Sequence, residues 1–115
     1  MTPEFIIRFG VSLIMVVFGL HQIIKPHNWF EYIPQWLEAL SPVSKTTNMR
    51  LHGLGNIMFG LFFLSDLAPK TASWITLIWW LTILPFAFRR NWSIGMRDLT
   101  IIFAIIAHLF MLYPI

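Results

Sequence analysis

The chain has 115 residues, 57% of them hydrophobic and 11% charged, and its mean hydropathy is +0.71. A soluble domain carries about 25% charged residues, and a domain this small cannot hide so much apolar side chain; an ordinary soluble domain and a disordered chain are therefore excluded. The net charge of +3 is scattered over loops and forms no polybasic tract, which argues against nucleic acid as a partner, and without cysteine the chain cannot supply disulfides, thiolate nucleophiles or Cys-held metal.

A spanning helix needs about 20 mostly apolar residues. The first such segment runs from about residue 5 to 24. Thr2 is its expected N-cap, Pro3 suits the first helical position, Glu4 favours the positive helix end, and Lys25-Pro26 stops it. It has neither a basic leader nor a small-x-small cleavage site and is expected to be a retained span. The second segment covers about 48–67, ending near Ser65-Asp66 and Pro69. The third covers about 71–88, with Pro85 predicting a kink or an early end. The fourth covers about 95–113, ahead of Pro114. The expected fold is an all-α bundle of four transmembrane helices, a single domain over 1–115, with the lipid bilayer as its surroundings.

The connection over about 27–41 differs from the other loops. Trp29, Phe30, Ile33, Trp36, Leu37 and Leu40 recur at helical spacing, with Glu31, Gln35 and Glu38 opposite them. Pro34 divides the stretch, which predicts two short helices. Trp and Tyr favour the headgroup zone, so the segment is expected to lie at the membrane surface or to fold over the bundle mouth.

Charge predicts orientation. Lys25, Lys45, Arg50, Arg89, Arg90 and Arg97 fall on one side of a four-span topology, against Arg8 and Lys70 on the other. The positive-inside rule then places the 25–50 and 89–97 connections in the cytoplasm and both termini outside, in a multi-pass protein of the cell membrane.

Polar residues inside lipid are costly and face the bundle interior. At 100° per residue they form three stripes: Arg8, Ser12, Gly19 and Gln22; His52, Asn56, Phe59, Phe63 and Asp66; Arg97, Thr100, Ala104 and His108. Trp74, Trp79 and Trp80 could face lipid or a pocket. Depth divides the polar residues. Gln22, His21, His52, Asn56, Arg97 and Asp98 converge at one mouth, under the aromatic connection with Trp29 and Trp36. Arg8, Asp66 and His108 lie nearer the opposite face, with Arg8 and Asp66 the expected ion pair. Arg89 and Arg90 read as solvated charges. A lone histidine near a helix end, such as His108, is expected to snorkel or to bond a backbone carbonyl.

Four chemistries suit the mouth cluster. His21 and His52 could hold a haem, although His21 lies off the polar stripe of its helix. His21, His52 and Asp98 have the ligand types of a metal site but no motif spacing. His52, Asn56 and Arg97, walled by Trp29 and Trp36, suit a quinone-like ligand. A purely structural network would need no ligand, with Arg97 and Asp98 satisfying each other. No bound cofactor or metal is expected, and a quinone-like ligand is the favoured occupant.

Three stretches resemble the DoxX family of small four-helix membrane proteins: Arg8-Phe9-Gly10 with Phe18-Gly19 and Lys25-Pro26; His52-Gly53 with Asn56 and Phe59-Gly60-Leu61; and Arg97-Asp98-Leu99. Asn56 stands where that family often has Glu, so an acid–base role there is not implied. The resemblance implies a subunit linked to quinone-coupled thiosulfate oxidation, or to membrane complexes handling thiol and oxidative stress. The partners expected are redox protein subunits and further copies of the chain; lacking cysteine, it would leave thiol exchange to another subunit. The rival expectation is a non-catalytic membrane protein acting through partner or lipid interaction, its polar core purely structural.

Overall fold

The computed structural model describes residues 2–113, so Pro114 lies outside the described residues. These residues are helical and form no strand: α1 (Pro3–Ile24), a 3-10 helix (Pro26–Tyr32), α2 (Gln35–Leu40), α3 (Lys45–Ser65), α4 (Pro69–Arg90) and α5 (Trp92–Leu112). Local chemistry sets the ends. The Thr2 hydroxyl accepts from Phe5 N at 3.1 Å, with Pro3 in the first turn. Ser44 Oγ accepts from Thr47 N at the start of α3, and Asn91 Oδ1 from Ser93 N at the start of α5. Arg50 Nε donates to Ile23 O, satisfying one of the carbonyls left open at the end of α1. Asp66 closes α3 in the left-handed conformation, φ 60°, a cap most often made by Gly or Asn, and α4 starts three residues later.

α1 packs along α3 and α4 along α5; the two pairs meet through α1–α5 and α3–α4 contacts. At the α1–α3 seam the backbones touch. A Cβ on Gly19 would lie 2.5 Å from the carbonyl oxygen of Gly53, and one on Gly53 would lie 2.6 Å from that of Gly19. Helices in lipid gain little from burying apolar surface against each other, so close backbone approach at small residues supplies their van der Waals contact. Met15, Phe63 and Ile105, all fully buried, form an apolar layer. On each of their helices it separates the polar residues of one end from those of the other.

Three of the four long helices, α1, α4 and α5, are long and apolar enough to cross a membrane. α3 has the length but carries Lys45, Asn48, Arg50 and His52 in its first half and Asn56 just past its middle, which lowers its hydropathy; by composition the span count is three, against the expected four. α4 does not end early, for it runs through Pro85 to Arg90. The stripe expected on α5 is rotated. Its buried polar residues are Asp98 and His108, with Ile101, Ile102 and Ile105 between them, whereas Thr100 is exposed and donates to Met96 O of its own helix. A hydroxyl bonded within its own helix needs no interior partner.

Pro34 separates the 3-10 helix from α2, and the pair lies across one end of the long helices. Arg89 and Arg90, expected to be solvated, instead hold this connection. Arg89 Nη1 donates to Glu31 O, Arg90 Nε pairs with Glu31 Oε2 at 3.1 Å, and the Arg90 guanidinium sits 4.9 Å over the Tyr32 ring. Lys45 pairs with Glu38 at 3.2 Å.

Candidate functional site

Beneath the connection lies a cavity of about 310 Å³, at the lower end of the size range of small-ligand sites. Every helix contributes to its wall. Phe18 and Gln22 come from α1; Trp29, Tyr32, Ile33 and Leu37 from the connection; Asn48, Met49, His52 and Asn56 from α3; Trp80, Thr82, Ile83 and Phe86 from α4; Arg97 and Asp98 from α5. Of the eight residues expected at the mouth, Gln22, Trp29, His52, Asn56, Arg97 and Asp98 are brought together around this cavity. Two are not. His21 is exposed and accepts from Trp29 Nε1 at 2.7 Å, so it steadies the connection from outside. Trp36 is 58% exposed, its ring 6.4 Å from that of Phe86. His21 and His52 therefore share no wall, and the pair does not build a bis-histidine haem site.

A directed hydrogen-bond chain organises the α3 wall. Trp79 Nε1 can only donate, and it donates to Asn56 Oδ1 at 2.6 Å. This orients the Asn56 amide, whose Nδ2 donates to Gln22 Oε1 at 2.7 Å. The Gln22 amide is thereby oriented in turn, so that its Nε2 donates to His52 Nδ1 at 3.2 Å and lies 3.4 Å from Met49 Sδ. Neutral His52 then carries its proton on Nε2. The imidazole stacks on the Trp79 ring, centroids 4.7 Å apart, and Gly55 makes room for that ring: a Cβ there would meet it at 2.7 Å. Asn56 is thus a linker with both ends used.

On the α5 wall, Asp98 is 1% exposed. Its Oδ1 accepts from Arg97 Nε at 3.0 Å and from Nη2 at 2.9 Å. Arg97 also donates to the Tyr32 hydroxyl at 3.3 Å and lies 4.8 Å over the Phe18 ring. The guanidinium thus ties the connection to α1 and α5, with 42% of its side chain exposed.

The opposite end holds a second polar group. Arg8 Nη1 donates to Leu64 O at 2.7 Å and lies 3.9 Å from Asp66 Oδ1. Asp66 is the expected partner, but Glu4 is nearer, with Oε1 3.1 Å from Arg8 Nε. His108 does not snorkel. It is fully buried, its Nε2 2.7 Å from Glu4 Oε1 and its Nδ1 3.1 Å from Ser73 Oγ. Sequence reasoning missed Glu4 and Ser73 here, and Trp79 at the mouth. The spacing Ser73, Thr76, Trp80 was a usable signal, because these residues share one face of α4 and all are buried. Nothing in the sequence separates the cavity wall, Trp80, from its neighbour Trp79, which orients that wall from behind.

No curated protein and no solved structure matches this chain. The DoxX family model matches residues 4–90, taking in the Arg8 and His52 stretches and ending before Arg97-Asp98. A match over most of the chain, joined to helices apolar enough to cross a bilayer, establishes that this membrane protein belongs to the DoxX family.

Proposed function

We propose that the protein is a four-span subunit of a membrane redox complex, and that its cavity takes a quinone-like ligand. The observation that carries this reading is the cavity itself. Aromatic walls from Phe18, Trp29, Tyr32, Trp80 and Phe86 suit a flat ring, and His52 and Arg97 are polar residues of the same lining. Ligand sites combine a mostly apolar lining with a few convergent polar groups in this way.

Supporting α3 as the fourth span, its outward residues Leu51, Leu54, Met58 and Leu61 form an exposed apolar stripe. The α1 stripe of Ile6, Phe9, Leu13, Val17 and Leu20 is of the same kind. Lys45, Asn48 and Arg50 fall in the first two turns of α3, at the level where headgroups would lie. The 3-10 helix and α2 then form the interfacial segment. The basic residues Lys45, Arg50, Arg89, Arg90 and Arg97 belong to this end, which supports a cytoplasmic mouth in the cell membrane.

The test is titration of the full chain in nanodiscs with a short-chain benzoquinone, followed by tryptophan fluorescence. Saturable binding is expected in the wild type and its loss in Ile83→Trp, which fills the cavity. A second reading rests on the mutual satisfaction of Gln22, Asn56 and Trp79, and of Arg97 and Asp98: the polar core serves packing alone, and the protein acts through partner or lipid contact. Absence of saturable quinone binding in a folded wild type favours that reading.

A further inference from the structure

The charge of the chain is uneven from end to end. Six of the eight Lys and Arg residues belong to the mouth end, against three carboxylates, Glu31, Glu38 and Asp98; the other end sets Arg8 and Lys70 against Glu4 and Asp66. The formal charge of +3 therefore sits at the mouth. Beside the cavity, between α1, the 3-10 helix and α5, lies an open groove of about 770 Å³. Phe18, Trp29 and Arg97 line both spaces.

The groove joins an apolar surface to a basic one. Along α1 its lining changes from Val17 and Phe18 to His21, which stands one turn, about 6 Å, nearer the helix end. Val17 and Leu13 are each 51% exposed, so the lining continues along the outward stripe of a helix apolar enough to span. His27, Arg90 and Arg97 complete the basic part. These residues keep donors in reserve. Trp29 Nε1 donates to His21 Nδ1, so the neutral, exposed His21 ring holds its hydrogen on Nε2. Arg97 bonds Asp98 and Tyr32 through Nε and Nη2, and Arg90 bonds Glu31 and the Asn28 carbonyl through the same two atoms. Among the described residues neither Nη1 makes a hydrogen bond. Both guanidinium side chains reach solvent, 24% exposed for Arg90 and 42% for Arg97. Glu31 is the one carboxylate in the lining, and Arg90 neutralises it at 3.1 Å.

We propose that this groove is a binding site for an anionic phospholipid of the leaflet that the mouth faces. The headgroup phosphate draws on Arg90, Arg97 and His21, and an acyl chain lies against Val17 and Leu13. Guanidinium groups suit phosphate oxygens, and basic recesses between spanning helices at headgroup level are where such lipids are held. A soluble anion would leave the apolar half of the groove unused. The inference stands whether or not a quinone fills the cavity.

The experiment is native mass spectrometry of the full chain in mild detergent, with dioleoyl phosphatidylglycerol and dioleoyl phosphatidylcholine added at equal concentration. The wild type retains one phosphatidylglycerol about tenfold more than phosphatidylcholine, on the scale of one or two cations near an anionic headgroup. Arg90→Gln lowers that preference about fivefold. Glu31→Gln breaks the same ion pair but removes the anion, and raises it. A role of Arg90 in merely holding the connection would instead lower retention in both. Lys45→Gln, a cation of the same end outside the groove, leaves the preference unchanged. Equal retention of the two lipids by the wild type overturns the proposal, as does an equal loss in Arg90→Gln and Lys45→Gln, which would mark diffuse attraction to the basic end. Full displacement of the lipid by glycerol 3-phosphate would make the groove a site for a soluble anion and overturns it too. Should Arg90→Gln fail to fold, Glu31→Gln decides, and an unraised preference there refutes the proposal.

Discussion

Gln22 and Asn56 face each other across the α1–α3 seam, the Asn56 amide donating to Gln22 Oε1 at 2.7 Å, and Trp79 on a third helix sets the direction of that bond. The cavity wall is therefore oriented from behind, by a residue that does not line it.

Replacing Asn56 by Leu leaves the Trp79 N–H and Gln22 Oε1 without partners. An orphaned buried group costs about 1–3 kcal/mol, and membrane helices measured by mutant cycles give smaller values, about 0.6 kcal/mol per bond on average. The expected loss is about 1–2 kcal/mol, read from reversible unfolding in mixed micelles. Asn56→Asp makes a sharper test. It keeps the acceptor for Trp79, turns the Gln22 amide over and moves the His52 proton to Nδ1. Nitrogen-15 NMR of labelled histidine reads this directly, with the Nε2–H tautomer expected in the wild type.

Gly19→Ala and Gly53→Ala each drive a methyl into a backbone carbonyl of the facing helix. Overpacking of this kind costs about 1–3 kcal/mol. Gly10→Ala adds a methyl where no atom lies within 4 Å and should be neutral or stabilising by up to about 1 kcal/mol, through helix propensity alone. Equal melting shifts for Gly10→Ala and Gly53→Ala would contradict the backbone contact at the seam.

Arg97→Ala removes the cation from a carboxylate that is 1% exposed. Breaking a fully buried pair costs about 3–5 kcal/mol; Arg97 keeps part of its side chain in solvent, so about 2–3 kcal/mol is expected. Arg90→Ala breaks an exposed pair, worth about 0–1 kcal/mol, but frees the connection. Its signature is faster proteolysis within residues 26–41 at nearly unchanged melting temperature.

Three of the four long helices were legible because each is a long apolar run with its own stop signal, and α3 through its apolar second half ahead of Ser65-Asp66. The mouth residues were legible through depth, since Gln22, His52, Asn56 and Asp98 all stand near the same end of their helices. Rotation was harder to read. Arg97 and Asp98 are adjacent, and counting the polar stripe from Arg97 instead of Asp98 turned α5 by 100°, enlisting Thr100 and Ala104. The His108–Glu4–Ser73 contacts join helices far apart in the chain, and no local spacing encodes them. Trp36 and Trp29 carry the same composition signal; only the fold of the connection about Pro34 turns Trp29 in and leaves Trp36 out. Quinone affinity should accordingly fall in Trp29→Ala and stay within about twofold in Trp36→Ala, since a removed contact of about 0.4 kcal/mol would already change it twofold.

Photolabelling tests the central claim, a quinone-like ligand in the mouth cavity, most directly. An azido-benzoquinone is irradiated with the full chain in nanodiscs, and the adducts are mapped by mass spectrometry with and without excess unlabelled quinone. The account predicts competed adducts on cavity residues such as Tyr32, Met49, His52 and Trp80. Labelling confined to the outward faces, at Phe103 or Phe110 for example, and undiminished by competitor would contradict it.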